Sequence, residues 1–127
     1  MPARLLFPAA LAALSALTRC TLAANATFYP TINMTDTAGD SIQAHGGVIL
    51  KSASSDDSNW YWFGEDKSGE GNSGSFVGVN CYRSADFAAW ERVGHVLEPI
   101  AGTQISGDSV VERPKVIFNE ENSEYVM

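Results

Sequence analysis

Apolar and polar residues alternate along this chain in short runs, and clusters of glycine, serine, asparagine and aspartate cut the runs apart. Six stretches have strand character: "IQAHGGVIL" (42–50), "NWYWFGE" (59–65), "SFVGVNCYRS" (75–84), "WERVGHVL" (90–97), "SVVERPKVIF" (109–118) and "SEYVM" (123–127). β-Branched and aromatic residues recur in them, as a half-buried pleated surface favours. The intervening "KSASSDDS", "DKSGEGNSG", "EPIAGTQISGD" and "NEEN" are turn chemistry. "SADFAAW" (84–90) has helical potential, but at one to two turns it predicts a turn or 3₁₀ segment. The pattern predicts an all-β chain and leaves sandwich, barrel and propeller open.

A different pattern lies upstream. Arg4 precedes the apolar run "LLFPAALAALSAL" (5–17), and the small-residue stretch "TRCTLAA" ends at Ala24. This is the layout of a secretory signal over residues 1–24, cut after Ala23 or Ala24. The run is shorter than the ~20 residues a spanning helix needs, and Pro8 interrupts it. The expectation is a secreted, extracellular chain beginning near Asn25, with residues 25–41 as a lead-in rich in Thr, Asn, Asp and Gly. Sequons at Asn25 and Asn33 suit glycosylation of an exposed segment. Cys20 leaves with the signal. Cys81 then remains, either buried and free or paired outside this chain.

The chain has 8 basic and 15 acidic residues, a net charge of −7, and losing Arg4 and Arg19 takes the mature part to about −9. Nucleic-acid binding rests on basic residues neutralising phosphates, so this balance argues against it. No basic amphipathic segment addresses a membrane. There is no His/Cys spacing for a metal, no nucleophile elbow and no phosphate loop, so neither metal nor cofactor is expected.

Four places carry chemistry. In "QAHGGVIL", Gly46 and Gly47 inside a strand beside Gln43 and His45 mark either close approach of a ligand or another backbone, or a bulge next to a hydrogen-bonded structural histidine. In "WYWFGEDK", aromatic residues hand over to Glu65 and Asp66. Rings that stack on sugar faces, next to a carboxylate that accepts hydroxyl hydrogen bonds, suit a carbohydrate site; the same rings are also ordinary core material. The segment carrying Tyr82, Asp86 and Trp90 reads as structural, a turn residue and a large apolar anchor packing one strand pair on the next. In "VVERPKVIF", Pro114 belongs at a strand mouth, which sets Glu112 at a cavity edge for acid–base work or for gripping a hydroxyl. Strand alternation would put Arg113 and Lys115 on the opposite side from Glu112. An ion-paired strand end is the alternative.

In order, "DTAGDSIQAHGGVIL", "WYWFGEDK", "CYRSADFAAWERVGHVLEPIAGTQIS" and "VVERPKVIFNEENSEYVM" resemble the N-terminal portion of glycoside hydrolase family 43, and within it the fungal exo-β-1,3-galactanase branch. The resemblance runs from about Asp36 to Met127. It implies a five-bladed β-propeller with an axial pocket, residues 42–127 being about the first two blades of a domain cut short at its C-terminus. A blade takes roughly 40–45 residues, so the chain cannot close a ring by itself. The implied activity is inverting release of galactose from β-1,3-galactan, the backbone of arabinogalactan side chains, with a polysaccharide as partner.

Most of the family places an aspartate base in an Asp-Pro context on the first inner strand. Here that strand reads "IQAHGG", a departure shared by the galactanase branch. The resemblance implies that Glu112 faces the sugar as a base-like or sugar-positioning group and that Glu65 is a further pocket group. Beside them, His45 is expected to help line the pocket, with Trp62 or Tyr61 as an apolar wall. The general acid and the aspartate that tunes it are expected beyond Met127, leaving the fragment inactive alone. A non-catalytic carbohydrate-binding β-module, or a family 43 enzyme acting on arabinan or xylan, are the alternatives.

Overall fold

The structure, a computed structural model, describes residues 33–69 and 75–127. The expected signal segment, Asn25 and the first part of the lead-in lie outside the described residues. Among the described residues six strands follow one another: β1 (His45–Lys51), β2 (Trp60–Glu65), β3 (Val79–Ser84), β4 (Glu91–Leu97), β5 (Ile117–Asn119) and β6 (Glu124–Val126). The first four form one antiparallel sheet in sequential order, and β5 and β6 form a separate hairpin. Among the described residues no helix is long and apolar enough to cross a membrane.

Strand alternation gives the four-stranded sheet two apolar faces. On one, Ile49, Trp62 and Tyr82 are successive cross-strand partners. Trp62 meets Trp90 edge-on with ring centroids 5.4 Å apart, and Phe87 meets both Trp60 and Trp90. Tyr82 and Trp90 are each 1% exposed. Burying two such rings removes several hundred Å² of apolar surface from water, which makes this face the energetic centre of the sheet. The turn 84–90 is capped as its sequence predicts: Asp86 Oδ1 accepts from the amides of Ala88 and Ala89, and Ser84 Oγ from those of Asp86 and Phe87.

The described part of the lead-in is integral to that face. Thr35 bridges Ser41, Thr37 donates to the Trp90 carbonyl, and Met34 and Ile42 pack on the aromatic cluster. Asp36 Oδ1 collects the amides of Ala38 and Asp40 and so closes the loop.

The opposite face carries Leu50, Tyr61, Phe63 and Cys81, which are again cross-strand partners. Val116, Tyr125 and Met127 approach it from the second hairpin, leaving an apolar cavity of about 420 Å³ between the two. Cys81 is free and 3% exposed there, and burial pushes its thiol up to about 11.

The strand expected over 109–118 is corrected. Residues 110–116 are not strand, and β5 starts only at Ile117. Arg113 adopts a left-handed backbone with φ 52°, which breaks any alternation through Glu112, Arg113 and Lys115. Pro114, buried just ahead of β5, does mark the strand mouth.

Candidate functional site: the mouth of the inner strands

The site begins at an irregularity in β1. Val48 pairs with Phe63 and His45 with Glu65, so β1 spends one more residue than β2 between those two pairs. That bulge reverses the side-chain alternation and sets His45 beside Glu65 on one face. The two glycines make it possible. Gly46 has φ +60°, and a Cβ on Gly47 would fall 1.7 Å from the Phe63 carbonyl oxygen. Both readings of "HGGV" thus meet here: there is a bulge, and there is close backbone approach.

The "ERPK" segment lies against the same bulge. The Lys115 ammonium donates to the carbonyls of Gly46 (2.7 Å) and Gly47 (2.9 Å). A Cβ on Gly46 would stand 3.0 Å from Arg113 Cγ. Lys115 therefore staples the approach to β5 onto the start of β1, and Glu112 is carried to the mouth shared by the two segments. Glu112 is exposed, and among the described residues it has no ion pair or hydrogen bond, so the ion-paired alternative is not realised. Glu65 is 8% exposed, with Lys67 Nζ 3.5 Å from its carboxylate. Three of the expected site residues, His45, Glu65 and Glu112, thus come to one end of the sheet.

The aromatic residues divide. Trp62 is part of the aromatic core, and its remaining surface floors a shallow groove under Ala44, Gly46, Gly47, Val48 and Ile49. Tyr61 does not join the site. It lies on the cavity face four residues before Glu65, about 13 Å along the strand, and its hydroxyl donates to Asp57 at 2.8 Å.

Sequence reasoning missed a buried polar network behind the mouth. Asn80, 0% exposed, donates to the Gln43 carbonyl (2.9 Å) and to Asp66 Oδ2 (3.0 Å) and accepts from Arg92 Nε and Nη2. His95 Nε2 donates to the same Asp66 oxygen at 2.7 Å. Burial alone would raise the Asp66 pKa, but hydrogen bonds from Ser68, His95 and Asn80 outweigh it and hold the carboxyl at about 2. The available signal was Asn80 in "VNCYRS", at an inward position two residues before Tyr82.

Solved structures are similar to this chain in sequence and fold. An exo-β-1,3-galactanase from Phanerochaete chrysosporium, crystallised with galactose, is 56% identical with a TM-score of 0.66, over 75% of this chain and 21% of that one. The chain carries part of a glycoside hydrolase family 43 propeller. The family match extends to an exo-β-1,3-galactanase from Clostridium thermocellum, 35% identical with a TM-score of 0.59, over 75% of this chain and 19% of that one. A family 43 β-1,3-galactosidase is 32% identical with a TM-score of 0.65, over 77% of this chain and 20% of that one. Glutamate-to-alanine and glutamate-to-glutamine variants of the Phanerochaete enzyme are solved with β-1,3-galactotriose. The family 43 segment spans about a fifth of the length of these structures. No family model and no curated protein matches the sequence.

Proposed function

We propose that this segment forms one wall of the sugar pocket of a secreted glycoside hydrolase that releases galactose from β-1,3-galactan with inversion. Glu112 positions the reacting sugar or its water, Glu65 and His45 accept or donate hydrogen bonds to hydroxyls beside it, and Trp62 backs the groove. The observation that carries this reading is the Lys115 staple. It ties the backbone beside Glu112 to the bulge next to which His45 pairs with Glu65. The identity with galactanase structures holding galactose and β-1,3-galactotriose supports the substrate class.

Inversion uses two carboxyl groups about 6.5–9.5 Å apart, one protonating the leaving oxygen and one serving the water. Glu112 suits the water side: it is exposed, and neither an ion pair nor a hydrogen bond engages its carboxylate among the described residues. At about a fifth of the length of its relatives, the chain by itself is proposed to hydrolyse nothing. Signal cleavage near Ala24, export and glycosylation at Asn25 and the exposed Asn33 belong to the same proposal. In the complete protein, Glu112→Gln is expected to lower turnover of a β-1,3-galactan oligosaccharide by at least about tenfold with an unchanged circular dichroism spectrum. Near-wild-type kinetics for that variant overturn the role of Glu112.

A further inference from the structure

Gln43 belongs to no strand, yet buried side chains of β3 grip it on both sides of its backbone. Its amide donates to the Tyr82 hydroxyl at 3.0 Å, and its carbonyl accepts from Asn80 Nδ2 at 2.9 Å. Neither support is free to move. Tyr82 is 1% exposed and packed in the aromatic cluster, and Asn80 is 0% exposed. Asn80 also has every polar site engaged: its second amide hydrogen goes to Asp66, and its oxygen receives two donors from Arg92. The network thus uses the interior of the sheet to fix a single residue just ahead of β1. What that residue does with its own side chain is to place Oε1 3.0 Å from His45 Nε2.

An amide oxygen only accepts, so the ring nitrogen facing it carries the hydrogen. We propose that Gln43 is a positioning residue: it holds His45 as the Nε2–H tautomer and leaves Nδ1 as the acceptor for a sugar hydroxyl. The second half rests on the reading of His45 as a pocket residue. The bulge fixes where the ring stands, and Gln43 fixes which nitrogen can receive a proton from the ligand. A histidine left to itself would present both tautomers and give up part of its binding energy in selecting one.

The test separates the two halves. Long-range ¹H–¹⁵N spectra of the complete protein are recorded at alkaline pH with the imidazole neutral, and His45 is assigned by the signals lost in His45→Ala. Wild type and Gln43→Glu, which keeps an oxygen acceptor, are expected to show Nε2–H. Gln43→Leu is expected to show a tautomer mixture, with KM for a β-1,3-galactan oligosaccharide raised about fivefold and kcat nearly unchanged. An Nδ1–H ring in wild type, or an unaltered tautomer in Gln43→Leu, overturns the positioning role. A tautomer that shifts while KM stays fixed supports the positioning role and removes His45 from the sugar pocket.

Discussion

In the four-stranded sheet, Trp90 and Tyr82 are 1% exposed and Val79 0%. In the arm from Val110 to Met127, residues of the same apolar types lie open: Val110 is 78% exposed, Ile117 65% and Tyr125 47%. Composition does not separate the two regions. What separates them is the partner surface. In the sheet, cross-strand pairing lines up Ile49, Trp62 and Tyr82, and the lead-in covers them. The arm has a two-stranded hairpin of three residues a side, too little to bury its own faces. Polar contacts join the burial of Val116 in holding the arm, through Lys115 on the bulge carbonyls and the Tyr125 hydroxyl accepting from the Ala53 amide at 2.8 Å.

This contrast can be broken from the sheet side. Trp90→Ala, which empties the centre of the aromatic cluster, is expected to cost about 3–5 kcal/mol in urea denaturation. A loss below about 1 kcal/mol would show that the cluster is not the energetic centre.

Acid acts on the same region more gently. Asp66 has its pKa lowered from the ordinary 3.8 to about 2, so the folded chain keeps the carboxylate ionised where the unfolded chain has protonated it. Its stabilisation is complete above about pH 4 and is lost as pH falls toward 2. It amounts to about 2 kcal/mol in a comparison of wild type with Asp66→Asn across that window. A stability difference between the two that stays flat from pH 5 to pH 2 would remove Asp66 from the network. In this chain by itself, Ile117→Ser is expected to change stability by less than about 0.5 kcal/mol, because little of that side chain leaves water. A cost near that of Trp90→Ala would erase the distinction between the regions.

The same division governs how much could be read from sequence. β1 to β4 were legible to within a few residues because their alternation coincides with real burial. "SVVERPKVIF" was not, since its β-formers suggested a strand through positions that the left-handed Arg113 and the proline take out of the ladder. His45, Glu65 and Glu112 were legible as candidates, the glutamates through the family motif and His45 through the glycines beside it. The pairing of His45 with Glu65 was not, because it depends on a one-residue bulge that no alternation pattern specifies. Tyr61 lies far from Glu65 on β2, and position within "WYWF" does not say which end of the strand a ring reaches. Asp66, Asn80, Arg92 and His95 are scattered along the chain and become neighbours only through the register of β2, β3 and β4, in which Gly64 pairs with Asn80 and Asn80 with His95.

Cys81 gives the seam between sheet and hairpin a clock of its own. With its thiol pushed up to about 11, roughly one part in a thousand is thiolate at pH 8, and the sulfur is shut in between the two apolar surfaces. Alkylation can proceed at a useful rate only when the seam parts and the sulfur reaches water. The speed of labelling therefore times how often the hairpin lifts from the sheet, with no reporter added to the molecule.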